Sequence, residues 1–175
     1  MPGARRNFLT TSACGICGKA SIEDICVLPH APLPADGALR AGNARRAAGP
    51  AARRAAGVLP SGGLHAAGLF TADGELIVVR EDVGRHNAVD KVVGWALLDG
   101  RLPLTGCVLL VSGRASFELV QKAVLAGIPL LAAVSAPSSL AVDLAEQAGL
   151  TLVGFLRGPS MNVYTGPRRL SAAAC

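Results

Sequence analysis

The chain has 175 residues, of which 51% are hydrophobic and 17% are charged, and this balance predicts one globular domain rather than a disordered chain. Its apolar runs are interrupted, as by Gly127 and Pro129, so none reaches the roughly 20 apolar residues that a membrane helix needs. Aromatic residues make up only 3%, which argues against a surface that stacks nucleic-acid bases, and the net charge of +5 indicates an anionic partner or a local basic segment.

The N-terminal segment, residues 1–28, is not expected to act as an export signal. Arg5 and Arg6 resemble a twin-arginine signal, but the following Thr-Thr-Ser-Ala-Cys is not the apolar stretch that such a signal requires. The five cysteines are therefore expected to be thiols of a protein in the reducing cytoplasm. Residues 19–28 predict a short helix that buries Cys26, and Cys107 is likewise expected to be a small buried residue at the start of a strand.

Two thiols separated by two residues, Cys14 and Cys17, stand beside glycines and near Lys19. Glycine permits an exposed tight turn, and a nearby cation lowers the pKa of a thiol and so favours the nucleophilic thiolate. The spacing is typical of a metal site, of thiol redox chemistry or of sulfur transfer. A closed zinc site needs four ligands, and the chain has no second CxxC or paired histidine motif to supply them. The zinc interpretation is therefore less favoured, because the other ligands would have to be single residues among Cys26, Cys107, His30, His65 and His86.

Residues 29–62 differ in composition from the rest of the chain. They contain five arginines and one aspartate, so most of the net charge lies in this segment, and hardly any bulky apolar residue precedes Val58. Such a segment buries little surface, and we expect a flexible Ala/Arg/Gly/Pro-rich connection rather than a nucleic-acid site.

Residues 63–170 have the pattern of an α/β core, followed by a tail at 171–175. Asp73-Gly74 predicts a β-hairpin turn between residues 64–71 and 75–80. Helices and strands then alternate, with helices predicted at 85–98, 115–126 and 138–148 and strands at 107–111, 129–134 and 150–156. Repeated strand–helix–strand units predict right-handed crossovers on a sheet that is covered on both faces.

Ligands of open α/β sheets bind beyond the carboxyl ends of strands, which here carry small or cationic residues at 112–114, 135–137 and 156–158. The junction Ser112-Gly113-Arg114-Ala115-Ser116 could bind an anion with backbone N–H groups and a guanidinium, or simply cap a helix. In the helix that follows, Glu118 and Lys122 are spaced to form an ion pair.

Residues 81–91 concentrate charged and hydrogen-bonding side chains where a strand turns into a helix. His86 and Asp90 share a helix face, so the carboxylate could fix the tautomer of the imidazole. The alternative is an ordinary solvated helix start, with acidic residues near its positive end. Such a start does not explain why Arg85 and Asn87 also stand beside His86 and Asp90.

Together these motifs resemble the FdhD family, the accessory sulfurtransferases of formate dehydrogenase. The matching stretches are Arg6-Asn7-Phe8, Cys14 to Ile22, Gly62 to Ala67, Glu81 to Lys91, Ser112 to Glu118 with Lys122, Ser135 to Ser139, and Thr151 to Phe155 continuing through Tyr164-Thr165.

The resemblance implies a three-layer α/β/α, cytidine-deaminase-like fold, usually in a homodimer, with a flexible CxxC loop and here an incomplete N-terminal part. It also implies sulfur transfer from a cysteine desulfurase, through a cysteine persulfide, to the molybdenum bis-guanine-dinucleotide cofactor of formate dehydrogenase. Deaminase chemistry is not expected, because Ala66 and Ala67 follow His65 and no Pro-Cys-x-x-Cys completes a zinc site.

The resemblance assigns roles to particular residues. Cys14 matches the persulfide-carrying cysteine and Cys17 its partner. The family's cofactor-binding segment matches Phe155, Leu156, Arg157, Gly158, Pro159 and Ser160. From their positions at strand ends and in the motifs, we add Arg85, His86, Asp90, Ser112 and Arg114 as candidate contacts to the cofactor, for which a guanine nucleotide would be a surrogate. The alternatives are a non-catalytic chaperone of the cofactor and a zinc-binding CxxC protein.

Overall fold

The computed structural model describes Leu33 and residues 39–40, 63–157 and 160–171. The strands are β1 (Leu39–Arg40), β2 (His65–Thr71), β3 (Leu76–Asp82), β4 (Cys107–Val111), β5 (Leu130–Ala133), β6 (Thr151–Arg157), β7 (Ser160–Thr165) and β8 (Leu170–Ser171). The helices are α1 (Arg85–Leu98), α2 (Phe117–Leu125) and α3 (Ser139–Gln147), and a 3-10 turn spans Pro167–Arg169. The predictions for residues 1–28, including the helix at 19–28, and for nearly all of 29–62 lie outside the described residues, as do 172–175.

Six strands form one mixed sheet in the order β3-β2-β4-β5-β6-β7, while β1 and β8 pair with each other in parallel. The predicted hairpin is confirmed, since β2 and β3 are antiparallel and Gly74 N–H donates to the carbonyl oxygen of Thr71 across the turn. β4, β5 and β6 run parallel, and β7 returns antiparallel to β6. The α/β class is therefore confirmed.

The three helices arise where the sequence periodicity places them. α1 buries Ala88, Val89, Val92 and Ala96 along one side, which is the stripe expected of an amphipathic helix. α2 and α3 end before Gly127 and Gly149, whose positive φ angles of 73° and 67° suit glycine and stop each helix. The helix boundaries are thus largely encoded by local sequence signals.

All three helices pack on one face of the sheet. The connections β3 to β4, β4 to β5 and β5 to β6 move in the same direction across the sheet, and right-handed crossovers in one direction leave their helices on one side. The core on this face combines residues of all three helices with Leu69, Leu109 and Leu131. The opposite face buries a separate cluster that includes Phe70, Leu110 and no residue of the described helices. The second helical layer and the likeness to cytidine deaminases therefore stay predictions.

Two smaller findings bear on function. No helix in the described part of the chain combines the length and the apolar character needed to cross a membrane. Cys107 is half-buried against the helix-side core, and burial raises the pKa of its thiol, as expected of a packing residue rather than a reactive one.

Candidate functional site

A cavity of about 230 Å³ lies beyond the carboxyl ends of β4 and β5, where the strand order predicts a ligand. Two arginines line it, and none of the lining residues is acidic. The set is Arg85, Arg114, Ala115, Ser116, Ala136, Pro137 and Ser138. This volume is on the scale of a phosphate or diphosphate group, since whole drug-sized ligands occupy cavities of about 300 Å³ or more.

The walls of the cavity are two strand–helix junctions that are bonded to each other. Ala115 and Pro137 form a parallel bridge, and Ser138 N–H donates to the carbonyl oxygen of Ala115 at 3.0 Å. α2 and α3 begin directly after these junctions, so their N-terminal turns and that of α1 adjoin the cavity. Helix N-termini favour anions because their first N–H groups have no partner within the helix.

Arg85 is the most informative lining residue. It is half-buried at the first position of α1, and its Nε is fully buried without a hydrogen-bond partner. Its side chain passes close to Gly113, because a Cβ placed on that glycine would lie 3.8 Å from Arg85 Cδ. A buried guanidinium N–H without a partner is costly in a folded protein, so it marks a position where a ligand acceptor would be favourable.

His86 does not line the cavity, and its ring contacts Ser116 and Glu118 at the start of α2. Its Nε2 is 3.3 Å from Ser116 Oγ and 3.7 Å from Glu118 Oε2. Burial, and then the neighbouring charge of Arg85, lower the pKa of His86 below its ordinary value. Burial raises the pKa of Glu118, but hydrogen bonds, chiefly from Ser116, outweigh it and leave that pKa lowered. His86 therefore contacts Ser116, which lines the cavity, and its surroundings disfavour the protonated imidazole.

Two side-chain contacts expected from i,i+4 spacing, that of His86 with Asp90 and the Glu118–Lys122 ion pair, give way to contacts between α1 and α2. Asp90 does not hold His86, because it forms an ion pair with Lys122 of α2. Lys122 is thereby directed away from Glu118, its expected partner within α2, and Glu118 faces His86 instead. Contacts between α1 and α2 thus replace both pairs that the i,i+4 spacing within a single helix predicts.

Asp82 organises the turn between β3 and α1. Its Oδ1 accepts hydrogen bonds from Gly84 N–H at 2.9 Å and from Asn87 Nδ2 at 3.0 Å, and its Oδ2 is 2.6 Å from Lys91 Nζ. These contacts, that of Lys91 first, lower the pKa of Asp82 to about 2. Asn87 and Lys91 thus belong to a structural turn, whereas Arg85 and His86 of the same motif face the cavity and α2.

The predicted cofactor-binding segment lies at the β6–β7 hairpin, next to the cavity. Phe155 is exposed and adopts a φ of +52°, which is unusual for a bulky residue and accompanies a register shift. Gly154 faces Pro137 so closely that an added Cβ would lie 3.0 Å from Pro137 Cδ. Pro137 lines the cavity, so the hairpin adjoins the cavity through this residue, although none of its own described residues is among the lining residues.

The remaining predicted residues divide clearly. Arg157 and Ser160 are exposed and paired across the hairpin, whereas Leu156 is 2% exposed in the second core, so its side chain is not available to a ligand. Ser112 does not line the cavity, because its Oγ accepts a hydrogen bond from Ala66 N–H and closes the β2–β4 ladder. Cys14, Cys17, Gly158 and Pro159 lie outside the described residues.

The structure also brings to the site residues that the sequence analysis did not name as individual contacts to the cofactor. Ser116, Pro137 and Ser138 line the cavity, and the His65 ring lies against Gly113, where an added Cβ would be 3.3 Å from His65 Nδ1. Small and polar residues at strand ends are the sequence signal for such a site. They predict at which edge of the sheet a ligand binds, but they do not predict which side chains meet there. Within the described ranges, no group of three or more His, Cys, Asp or Glu residues could hold a metal ion.

The chain was compared with known protein families. The model of the FdhD/NarQ family matches residues 2–171. A sulfur carrier protein FdhD of Nocardia farcinica is 60% identical over 99% of this chain, and one of Sulfolobus acidocaldarius is 48% identical over 94%. The alignments cover 63% of each of these relatives, so the chain spans about six tenths of their length.

A solved structure supports the same likeness. A crystal structure assigned as a formate dehydrogenase accessory protein of Desulfotalea psychrophila matches with a TM-score of 0.71 and 36% identity. The match covers 84% of this chain and 62% of that protein.

Proposed function

The chain belongs to the FdhD/NarQ family, and from this premise we propose that it carries sulfur to the cofactor of formate dehydrogenase. Cys14 would receive the sulfur as a persulfide from a cysteine desulfurase, with Cys17 as its partner. The acceptor would be the molybdenum bis-guanine-dinucleotide cofactor, bound as a substrate. The protein would work in the cytoplasm as a homodimer.

The observation that carries the binding part of this proposal is the buried, unpartnered Nε of Arg85 at a cavity that also receives Arg114. The acceptor carries pyrophosphate groups, and guanidinium–phosphate contacts are strong because both partners are charged. Ser116 and Ser138 add hydroxyl groups at the same cavity. We assign the phosphates to this cavity and the adjoining groups of the acceptor to the β6–β7 hairpin around Phe155, Arg157 and Ser160.

The chemistry requires a thiolate that can accept and release a sulfur atom. The Cys14 thiolate attacks the outer sulfur of the desulfurase persulfide, a new S–S bond forms on Cys14, and the desulfurase thiolate leaves. In the second step the outer sulfur moves to the acceptor, which supplies the electron pair of the new bond. The electron pair of the broken S–S bond stays on Cys14 and restores its thiolate.

Persulfide trapping tests the sulfur-carrying part. After incubation of the full chain with a cysteine desulfurase and cysteine, alkylation and mass spectrometry are expected to find one extra sulfur on Cys14. Cys14→Ala should abolish it, and Cys107→Ala, which removes a half-buried thiol of raised pKa, should leave it unchanged.

Two outcomes would redirect the assignment. A chain that binds guanosine diphosphate but never forms the persulfide would favour a non-catalytic cofactor chaperone. Stoichiometric zinc in the reduced protein, lost in Cys14→Ala, would favour a zinc-binding CxxC protein.

A further inference from the structure

The turn before α1 is held by several hydrogen bonds and one ion pair. Asp82, the last residue of β3, accepts from the backbone of Gly84 and from the side chain of Asn87, both on Oδ1. Lys91 Nζ contacts Asp82 Oδ2 and donates to the carbonyl oxygen of Glu81 at 2.9 Å. One carboxylate thus ties the end of a strand to the first two turns of a helix.

None of these residues lines the cavity, but the residue that they enclose does. Arg85 stands between Gly84 and Asn87 in the chain, and its buried Nε is the unpartnered group at the cavity. The turn itself is closely packed, because a Cβ on Gly84 would lie 3.2 Å from Asn87 Nδ2 and 3.6 Å from Asp82 Oδ1. The turn therefore restricts where the backbone of Arg85 can sit.

We propose that Asp82 is a positioning residue that holds Arg85 in the geometry needed to bind the phosphates of the acceptor, with Asn87 as its helix-side partner. This inference rests on the proposed anion site and adds a specific device to it. Its physical basis is that a rigid, hydrogen-bonded turn fixes the guanidinium before the ligand arrives. Binding then costs less ordering, and a small displacement of that group would weaken binding strongly.

Because Asp82 is negatively charged, the proposal can be tested by whether removal of its carboxylate weakens or strengthens anion binding. A carboxylate near an anion site repels the ligand, so its removal would strengthen anion binding if electrostatics alone mattered. A positioning role predicts the reverse, because loss of the carboxylate releases the turn. Asn87→Ala tests the same device without a change of charge.

The experiment measures guanosine diphosphate binding by calorimetry with the full chain. Asp82→Ala is expected to weaken binding about tenfold and Asn87→Ala about threefold, since a misplaced binding group loses much of its interaction. Asp82→Asn keeps an oxygen acceptor for Gly84 and Asn87, so it should restore affinity to within about threefold of the unchanged chain. Asp99→Ala is the matched control, because Asp99 is also an ion-paired acid next to α1 but lies at the opposite end.

Thermal melting of each variant separates positioning from unfolding, and Asn87→Ala, at an exposed side chain, provides the measurement if Asp82→Ala does not fold. Unchanged or tighter binding by the folded Asp82→Ala or Asn87→Ala chains would overturn the inference while leaving the anion site intact. Absence of binding by the unchanged chain would instead overturn the anion site itself, and the inference with it.

Discussion

The two ends of α1 each have an arginine nearby, and the surroundings of the two side chains are opposite. Arg101, just beyond the last turn, forms an ion pair with Asp99 and places its guanidinium carbon 5.0 Å from the centre of the Trp95 ring. Arg85, at the first turn, has a buried Nε without a hydrogen-bond partner and faces a cavity. Arg101 thus has partners within the protein, whereas Arg85 leaves one buried N–H without a protein acceptor.

This difference agrees with the proposed roles, in which Arg101 is structural and Arg85 binds the acceptor. An exposed ion pair with a ring contact contributes about 1 kcal/mol or less to stability and has no remaining role to explain. A buried N–H without a partner lowers stability, and a ligand acceptor at this cavity would relieve that cost.

The largest expected effect comes from exchanging the two arginines for alanine one at a time. Arg85→Ala should weaken guanosine diphosphate binding by about 10- to 100-fold, because it removes charge-assisted hydrogen bonds to phosphate. Arg101→Ala should leave the affinity unchanged and lower the melting temperature slightly. Calorimetry measures the affinity of both variants for guanosine diphosphate, and thermal melting measures their stability. Equal losses of affinity in the two variants would contradict a binding role that is specific to Arg85.

A second contrast uses two glycines, one beside the cavity and one within α1. A Cβ on Gly154 would lie 2.9 Å from the Tyr164 ring and 3.0 Å from Pro137 Cδ, whereas nothing lies within 4 Å of a Cβ on Gly94. Gly154→Ala should therefore lower the free energy of unfolding by about 1–3 kcal/mol through overpacking. Gly94→Ala should raise it by about 0.5–1 kcal/mol, because alanine suits a helix interior better than glycine.

Chemical denaturation of both glycine variants checks these signs. If Gly154→Ala were as stable as the unchanged chain, the hairpin would be free to move away from Pro137. The side of the cavity at Pro137 would then be less defined than its contacts indicate.

Local structure could be predicted from the sequence because its signals are local. The bounds of α1 and β4 match the predicted ranges, since apolar periodicity and stop signals lie within the same few residues. The location of the cavity also follows from strand–helix alternation, which brings the ends of β4 and β5 together.

The partners of individual side chains could not be predicted in the same way. Spacing along α1 favours an Asp90–His86 contact, but each side chain has a partner on α2, and Lys122 is 32 positions from Asp90. Which helix faces which depends on tertiary packing that no single helix encodes. Leu156 is a similar case, because the positive φ of Phe155 and the register shift at the end of β6 decide which side chains turn inward.

The smallest expected effect is a pH dependence of folding stability that arises from His86, near the cavity at the start of α1. Burial, and then the charge of Arg85, lower the pKa of His86 below the ordinary 6.5. The unfolded chain therefore binds a proton at this residue more readily than the folded chain does. The contribution of His86 to stability is therefore complete above 6.5, the ordinary pKa that applies to the unfolded chain. It is lost as the pH falls from 6.5 through the lower pKa of the folded chain.

His86→Gln isolates this contribution, because glutamine does not titrate and the other groups that face His86, namely Arg85, Asp90, Glu118 and Lys122, are unchanged. Denaturation of both chains between about pH 7.5 and 5 should show a steeper loss of stability in the unchanged chain than in the variant. Asp82 does not interfere, since its pKa of about 2 places its own loss of stability at much lower pH, between its ordinary value of 3.8 and that value. Parallel curves for the two chains would mean that His86 is solvated like an ordinary surface histidine, and the cavity end of α1 would then lack the buried titratable group that distinguishes it from the Arg101 end.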